Sequence, residues 1–278
     1  GETLTLTYTI TATDSSLDAA TTSQEVTILI TGTNDVPVIS TAGEQDAFTA
    51  TIEEENAGLQ TAGTITIEDL DLSDNVAISI ASSVGVVAPA GTELVLPTQE
   101  ALLAMFVIDT ATDATPGEYS EVEWSFNSQD QAFDYLADGE SLELTYTITA
   151  DDGQGGTATQ NITITVTGTN DTPVIAVVEG DGINDVLVDS IAADFTESDE
   201  GLSASGTLSV TDLDLSDTVS FETTEVAIQT TNEEVLEWLP SEAELIAMMS
   251  TNPVAGLDAT PGDAQNLTWN FNSDIQAF

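Results

Sequence analysis

Lysine, arginine and histidine are all absent from this chain, whereas aspartate and glutamate number 50 in 278 residues, for a formal charge of −50. No carboxylate can be neutralised by a basic side chain, so the fold repels itself unless outside cations bind or screen it. Cysteine is absent too, which excludes disulfides, thiol catalysis and thiolate metal sites. Lysine isopeptide cross-links are equally excluded, and a chain without Lys or Arg offers trypsin no cleavage site. There is no long apolar run, so no transmembrane helix is expected. The chain does not begin with Met and shows no signal-peptide pattern. A polyanion avoids nucleic acid and anionic membranes; its natural partners are cations.

Disorder is the bland expectation for so acidic a chain, but 41% of the residues are hydrophobic and they follow a strand period. Leu142, Leu144, Tyr146, Ile148 and Ala150 alternate with Glu143, Thr145, Thr147 and Thr149. Ile162, Ile164 and Val166 alternate with threonines, and the turn-rich "DDGQGG" (151–156) lies between the two runs. This pattern predicts an antiparallel hairpin with one buried face. Further strands are expected at 47–52, 62–67, 76–80, 93–96 and 121–126, which makes about seven short strands, the count of a two-sheet sandwich. Trp124 and Phe126, repeated as Trp269 and Phe271, read as core anchors. "PTQEALLAMF" (97–106) and "PSEAELIAMM" (240–249) each read as one short amphipathic helix, the second with a Ser241/Glu244 capping box. Leu102, Met105 and Phe106 would cover one end of the sandwich.

The chain is also an array. "GETLTLTYTI" (1–10) returns as "GESLELTYTI" (139–148), "TGTNDVPVI" (31–39) as "TGTNDTPVI" (167–175), and "DATPGEYSEVEWSFNSQDQAF" (113–133) as "DATPGDAQNLTWNFNSDIQAF" (258–278). A period of about 140 residues implies beads with their own cores rather than a solenoid. Cut after each "GTND", the chain divides into 1–35, the end of one repeat; 36–171, a whole repeat; and 172–278, the start of a third. It reads as a window on a longer tandem protein. "EDLDLSD" (68–74) and "TDLDLSD" (211–217) place Asp69, Asp71 and Asp74, then Asp212, Asp214 and Asp217, in corresponding bends between strands. A solvated turn is one reading. The other is a Ca²⁺ site, because Ca²⁺ takes six to eight oxygen ligands, whereas Mg²⁺ keeps its waters.

The stretch 124–175, with its closing G-T-N-D-x-P-V and its D-D-G-x-G-G-T-A-T turn, resembles the VCBS repeat of giant secreted bacterial adhesins, often of the RTX type. That resemblance implies all-β, tandem immunoglobulin-like or cadherin-like antiparallel sandwiches, each here with one short inserted helix, on the bacterial surface or in a secreted matrix. A looser resemblance to cadherin repeats implies calcium ligands. These would be Glu53, Glu54 and Glu55 near the repeat start, Asp69 and Asp71 in mid-repeat, Asp151 or Asp152 at the late turn, and Asn170 with Asp171 at the junction. Asn34 and Asp35 mark the preceding junction, and the third repeat offers Glu197, Asp199, Asp212 and Asp214. Glu54, Asn170, Asp171, Asp212 and Asp214 are expected to meet at one junction.

Three non-enzymatic functions compete. The leading one is a calcium-rigidified extender of an adhesin, serving cell adhesion or biofilm formation, whose partners are the neighbouring repeats. A self-assembling fibre, in which one copy's head completes another copy's tail by strand addition, is the second. A carbohydrate-binding module using Trp or Tyr is the third. An enzyme is least expected, because histidine, cysteine and lysine chemistries are missing and a carboxylate pair is uninformative among so many acids. The sequons at Asn161, Asn170 and Asn266 read as chance matches.

Overall fold

The computed structural model describes residues 1–15, 17, 19–44, 46–55, 57–71, 74–90, 96–112, 120–130, 133–179, 181–183, 201–230 and 239–273. The chain opens with a long hairpin, β1 (Thr3–Thr13) and β2 (Thr21–Thr31). Then come β3 (Val38–Ser40), β4 (Thr49–Glu53), β5 (Gln60–Glu68), β6 (Val76–Ile80) and β7 (Gly85–Val87). Helix α1 (Gln99–Ala104) leads into β8 (Phe106–Ile108), β9 (Ala111–Thr112) and β10 (Ser120–Asn127), and a second long hairpin follows, β11 (Ser141–Asp151) with β12 (Thr157–Thr167). The last part holds β13 (Val174–Ala176), β14 (Gly182–Ile183), β15 (Ser203–Thr211), α2 (Glu242–Ala247), β16 (Met249–Asn252) and β17 (Leu267–Asn272).

The middle of the chain is a two-sheet sandwich. One sheet runs β3-β5-β10-β8; the other runs β4-β12-β11-β6-β9, with β7 also on β11. The alternation read in β11 becomes its burial: Leu142, Leu144, Tyr146, Ile148 and Ala150 are fully enclosed, while Glu143 faces solvent. They meet Ile65 and Ile67 of β5 and Val122, Trp124 and Phe126 of β10 in one continuous core. Trp124 lies flat because its strand neighbour is Gly63, where an added Cβ would stand 2.6 Å from the indole ring. Its Nε1 donates to the Ala47 carbonyl at 3.2 Å. Tyr146 stacks on Phe106, with centroids 4.4 Å apart, and its hydroxyl donates to the Leu102 carbonyl at 2.9 Å. That bond ties the helix end to the core.

The departures from expectation have local causes. The segment 47–52 is strand as expected, but β4 pairs with β12 in parallel, the single parallel pairing among the described strands. Both helices are shorter than predicted. Thr98 and Ser241 cap them, and Phe106 and Met249 are drawn into β8 and β16 by pairing with Phe126 and Phe271. Of the strand expected at 93–96, residues 93–95 lie outside the described residues and Leu96 is not in a strand. The short strands β3, β7, β8 and β9 were not anticipated.

The last part has one described sheet, β13-β15-β17-β16 with β14 on β15. Its smaller core is built on Val210, Val219, Ala259 and Leu267. The opening hairpin has the register of β11 and β12, yet its side chains lie exposed, apart from the half-buried Leu6.

Candidate metal centres at the repeat junctions

Asp69, Asp71 and Asp74 lie between the end of β5, in one sheet, and the start of β6, in the other. A bend is needed there, and aspartates supply it by bonding their own backbone. The Asp71 N–H donates to Asp69 Oδ1 at 3.0 Å, and the Asp74 N–H donates to the Asp71 carbonyl at 3.2 Å. Those bonds leave Asp69 Oδ2 turned inward. Asp69 is 1% exposed, and this oxygen meets no hydrogen-bond donor among the described residues.

The late turn closes the same site from the other hairpin. Asp152 is buried and accepts from the backbone N–H groups of Gln154, at 2.7 Å, and Gly156, at 2.9 Å. Gly153 and Gly155 take positive φ in this turn, and at Gly156 a Cβ would stand 2.2 Å from Asp152 Oδ2. The preceding junction then docks on both loops: Asn34 Nδ2 donates to Asp152 Oδ2 at 2.8 Å, and the Asp35 N–H donates to Asp71 Oδ2 at 2.7 Å. Asp69, Asp74 and Asp152 each bring a carboxylate oxygen to within 4.8 Å of the others. An open cavity of about 430 Å³ adjoins them, lined by Asn34, Asp71, Asp74 and Gln154 among others.

The second junction repeats this wiring. The Asp214 N–H donates to Asp212 Oδ1 at 3.2 Å, the Asp217 N–H to the Asp214 carbonyl at 3.1 Å, and the Asp171 N–H to Asp214 Oδ2 at 2.7 Å. Asn170 Nδ2 reaches the Asp171 carbonyl, as Asn34 Nδ2 reaches that of Asp35. Asp214 is 2% exposed, and its Oδ1 meets no donor among the described residues. The Leu215 N–H donates to the Tyr135 carbonyl at 3.3 Å, so this loop touches the repeat before it.

The electrostatics show the strain of gathering acids without cations. Burial pushes the Asp69 carboxyl above its ordinary range, and repulsion from Asp71, Asp74 and Asp152 adds to it, against the bond from the Asp71 N–H. Burial likewise raises Asp214 to about 6, with Asp171, Asp212 and Asp217 adding repulsion. Asp152 moves the other way, chiefly because the Asn34 amide bonds it. Asp152 therefore favours its ionised form, whereas the neighbouring Asp69 is pushed towards its protonated form.

Among the predicted residues, the structure brings together Asn34, Asp35, Asp69, Asp71, Asp74 and Asp152, and, in the second set, Asn170, Asp171, Asp212, Asp214 and Asp217. Of the late-turn pair it selects Asp152; Asp151 is exposed and accepts from the Gly153 N–H. Of the three glutamates only Glu54 is buried. Its Oε1 accepts from the N–H and hydroxyl of Thr169, immediately before Asn170, and these bonds link it to the linker rather than to Asp212 or Asp214. Glu53 and Glu55 are exposed. Glu197 and Asp199 lie outside the described residues. Asp14 escaped the sequence reading. It occupies in the first hairpin the place of Asp152, its N–H bonding the Ala20 carbonyl as that of Asp152 bonds the Gly156 carbonyl; the shared "TITAxD" was the available signal. Asp46 was missed as well. It accepts from the Thr64 and Thr66 hydroxyls and the Gly43 N–H, a structural clamp on β5.

No protein-family model matches the chain, and no curated protein does. Among solved structures the chain is similar to the protocadherin gamma B4 extracellular domain, at 20% identity over 63% of this chain and 23% of that one, with a TM-score of 0.33. It is similar to extracellular domains 1–3 of mouse clustered protocadherin gamma C3, at 14% identity over 94% and 66%, TM-score 0.30. It is also similar to a PapD-like domain of human CEP192, at 10% identity over 50% and 89%, TM-score 0.34. Likeness at this level assigns neither ligand nor partner. Among the described residues no helix is long and apolar enough to cross a membrane.

Proposed function

We propose that the chain is an extender segment of a secreted or surface-bound adhesin of the VCBS-repeat type, stiffened by Ca²⁺ at the junctions between its sandwiches. One observation carries the reading. The two junctions share the Asx turns and the linker N–H bond to the loop, and each holds a buried carboxylate oxygen that no donor meets among the described residues, Asp69 Oδ2 at the first and, one aspartate further along the loop, Asp214 Oδ1 at the second. Such an oxygen is costly unless a cation takes the donor's place. The donor set is all oxygen and rich in carboxylate, which suits Ca²⁺ over Zn²⁺ or Cu²⁺. Asp69, Asp74 and Asp152 would hold the ion at the first junction, and Asp212, Asp214 and Asp217 at the second. Bound metal would fix the linkers 34–35 and 170–171 against their loops; without it the same acids repel, and the linker becomes a hinge.

Trp124 and Trp269 are buried in the cores and do not serve as stacking platforms for a glycan, while Trp238 lies outside the described residues. The test is calorimetric Ca²⁺ titration combined with small-angle scattering in calcium and in chelator. Saturable binding, and a shorter maximum dimension in chelator, are expected. Absence of binding, or a scattering curve indifferent to chelator, ends the proposal.

A further inference from the structure

The central sandwich ties its beginning to its end through a strand pair. β4 lies near its start and β12 is its last strand, and they run side by side in the same direction, with Thr49 opposite Thr163 and Glu53 opposite Thr167. The ladder continues past both ends of β4. The Thr163 N–H donates to the Phe48 carbonyl at 2.8 Å, and the Glu54 N–H donates to the Thr167 carbonyl at 2.9 Å. Side chains extend it further. The Thr167 hydroxyl donates to the Ile52 carbonyl at 3.3 Å. Glu54, 3% exposed, accepts from the Thr169 N–H at 3.1 Å and from the Thr169 hydroxyl at 2.5 Å.

The chain enters this sandwich from residues 34–35, beside Asp152, and leaves it at residues 169–171, beyond Thr167. These points lie at opposite ends of β12. Pulling the two linkers apart therefore draws β4 backwards along its axis and β12 forwards. The ladder bonds lie across that axis, so the five registered pairs resist together, whereas peeling the strands apart breaks them one at a time. Upstream, β3 holds to β5 by three pairs, and Asp46 accepts from the Thr64 and Thr66 hydroxyls. β4 is the longer of the two attachments, and its partner strand leads directly to the exit linker.

We propose that β4 and β12 form a shear clamp that carries tension through the repeat, with Glu54 as its pin. The tension comes from the extender reading, on which the proposal rests, but the clamp owes nothing to calcium. Glu54 grips the chain where it leaves β12, so force arriving along the linker meets Thr169 before it reaches the ladder. A carboxylate accepting from both an N–H and a hydroxyl makes a strong grip of this kind. The same role accounts for a buried glutamate between exposed Glu53 and Glu55 whose oxygen serves Thr169.

Optical-tweezer pulling on the 278-residue chain tests this, and the absence of native cysteine lets introduced ones serve as handles. Handles at Val36→Cys and Thr172→Cys, both exposed, shear β4 against β12. Handles at the exposed Glu55→Cys and Thr172→Cys peel the strands from their shared end. Rupture is expected at severalfold higher force in the first geometry. At constant tension in that geometry, Thr169→Val should shorten the lifetime about fivefold, the contribution of one hydrogen bond to the unfolding barrier. Tyr146→Phe removes a core bond away from the clamp; it should lower stability in urea and leave that lifetime unchanged. Equal rupture forces in the two geometries, or lifetimes that follow urea stability in both variants alike, overturn the clamp. The Thr169→Val effect should be the same in Ca²⁺ and in chelator. An effect confined to Ca²⁺ makes Glu54 a metal ligand and overturns its role as pin. Failure of the calcium reading would leave the force ratio and the Thr169→Val effect standing, so the two readings fail separately.

Discussion

Asp69 sits where one atom decides the sign of two measurements. Its Oδ1 is used by the Asp71 N–H, and its Oδ2 lies buried without a donor among the described residues. Asp69→Asn keeps the shape and removes the charge. In the metal-free protein the variant should be the more stable, because a buried charge disappears. In calcium it should be the less stable, because a ligand is lost, and calorimetry should find about tenfold weaker binding at one site with the other unaltered. A destabilised apo variant would show that the inward oxygen is well served without metal. Asp214 supplies the pH counterpart. Its carboxyl is raised by burial from 3.8 to about 6, so folding favours its protonated form. The associated stability is complete below 3.8 and is lost as pH climbs through 6. Metal-free protein should therefore melt higher at about pH 5 than at pH 7. Saturating Ca²⁺ demands the ionised form and should invert that order. Melting curves at the two pH values, with and without chelator, read the sign directly.

At the level of elements, the central sandwich rests on a few contacts that single substitutions can probe. Gly63→Ala would put a Cβ 2.6 Å from the Trp124 ring and should cost about 1–3 kcal/mol in urea unfolding by overpacking. Tyr146→Phe removes the hydroxyl that reaches the Leu102 carbonyl and should cost about 1–2 kcal/mol, leaving a buried carbonyl less well satisfied. These elements were unequally legible in the sequence. The β11–β12 hairpin could be read because its period of two runs without a break and glycines mark its turn. The helices could be located but not bounded, since two turns of helix carry little periodicity and Phe106 answers to β10 rather than to its own neighbours. The short edge strands β3, β7 and β9 have no pattern of their own; they exist by pairing with β5, β11 and β6. The junction acids were visible as repeated D-x-D and N-D pairs. The choice of Asp152 over Asp151 was not, because it depends on which of two adjacent carboxylates faces the turn amides. Burial of Glu54 between exposed Glu53 and Glu55 follows from strand alternation, which could have been carried one residue past β4.

Over the whole molecule, −50 charges without a basic side chain pose two separate problems, and simple salt solves one of them. At about 0.15 M ionic strength the Debye length is about 8 Å, so repulsion between distant surface acids is screened. Carboxylate oxygens within 4.8 Å of one another and buried lie inside that length and away from the counterion cloud, so monovalent salt leaves them nearly untouched. Raising NaCl should therefore increase the melting temperature broadly while the junctions stay loose. Millimolar Ca²⁺ added at constant ionic strength should instead narrow the distribution of end-to-end distances. Mg²⁺ should do so weakly, since it holds its waters and prefers fewer protein oxygens. Fluorophores placed at exposed Thr9 and Thr218 would report that distribution by single-molecule energy transfer. If NaCl and CaCl₂ of equal ionic strength narrow it equally, the acids at the junctions are acting as general surface charge, and the linkers owe their geometry to direct hydrogen bonds such as Asn34–Asp152, Asp35–Asp71, Asp171–Asp214, Glu54–Thr169 and Leu215–Tyr135. If only calcium narrows it, those bonds set the approach and the ion supplies the stiffness, which is the division of labour expected of a chain that carries no cation of its own in any side chain.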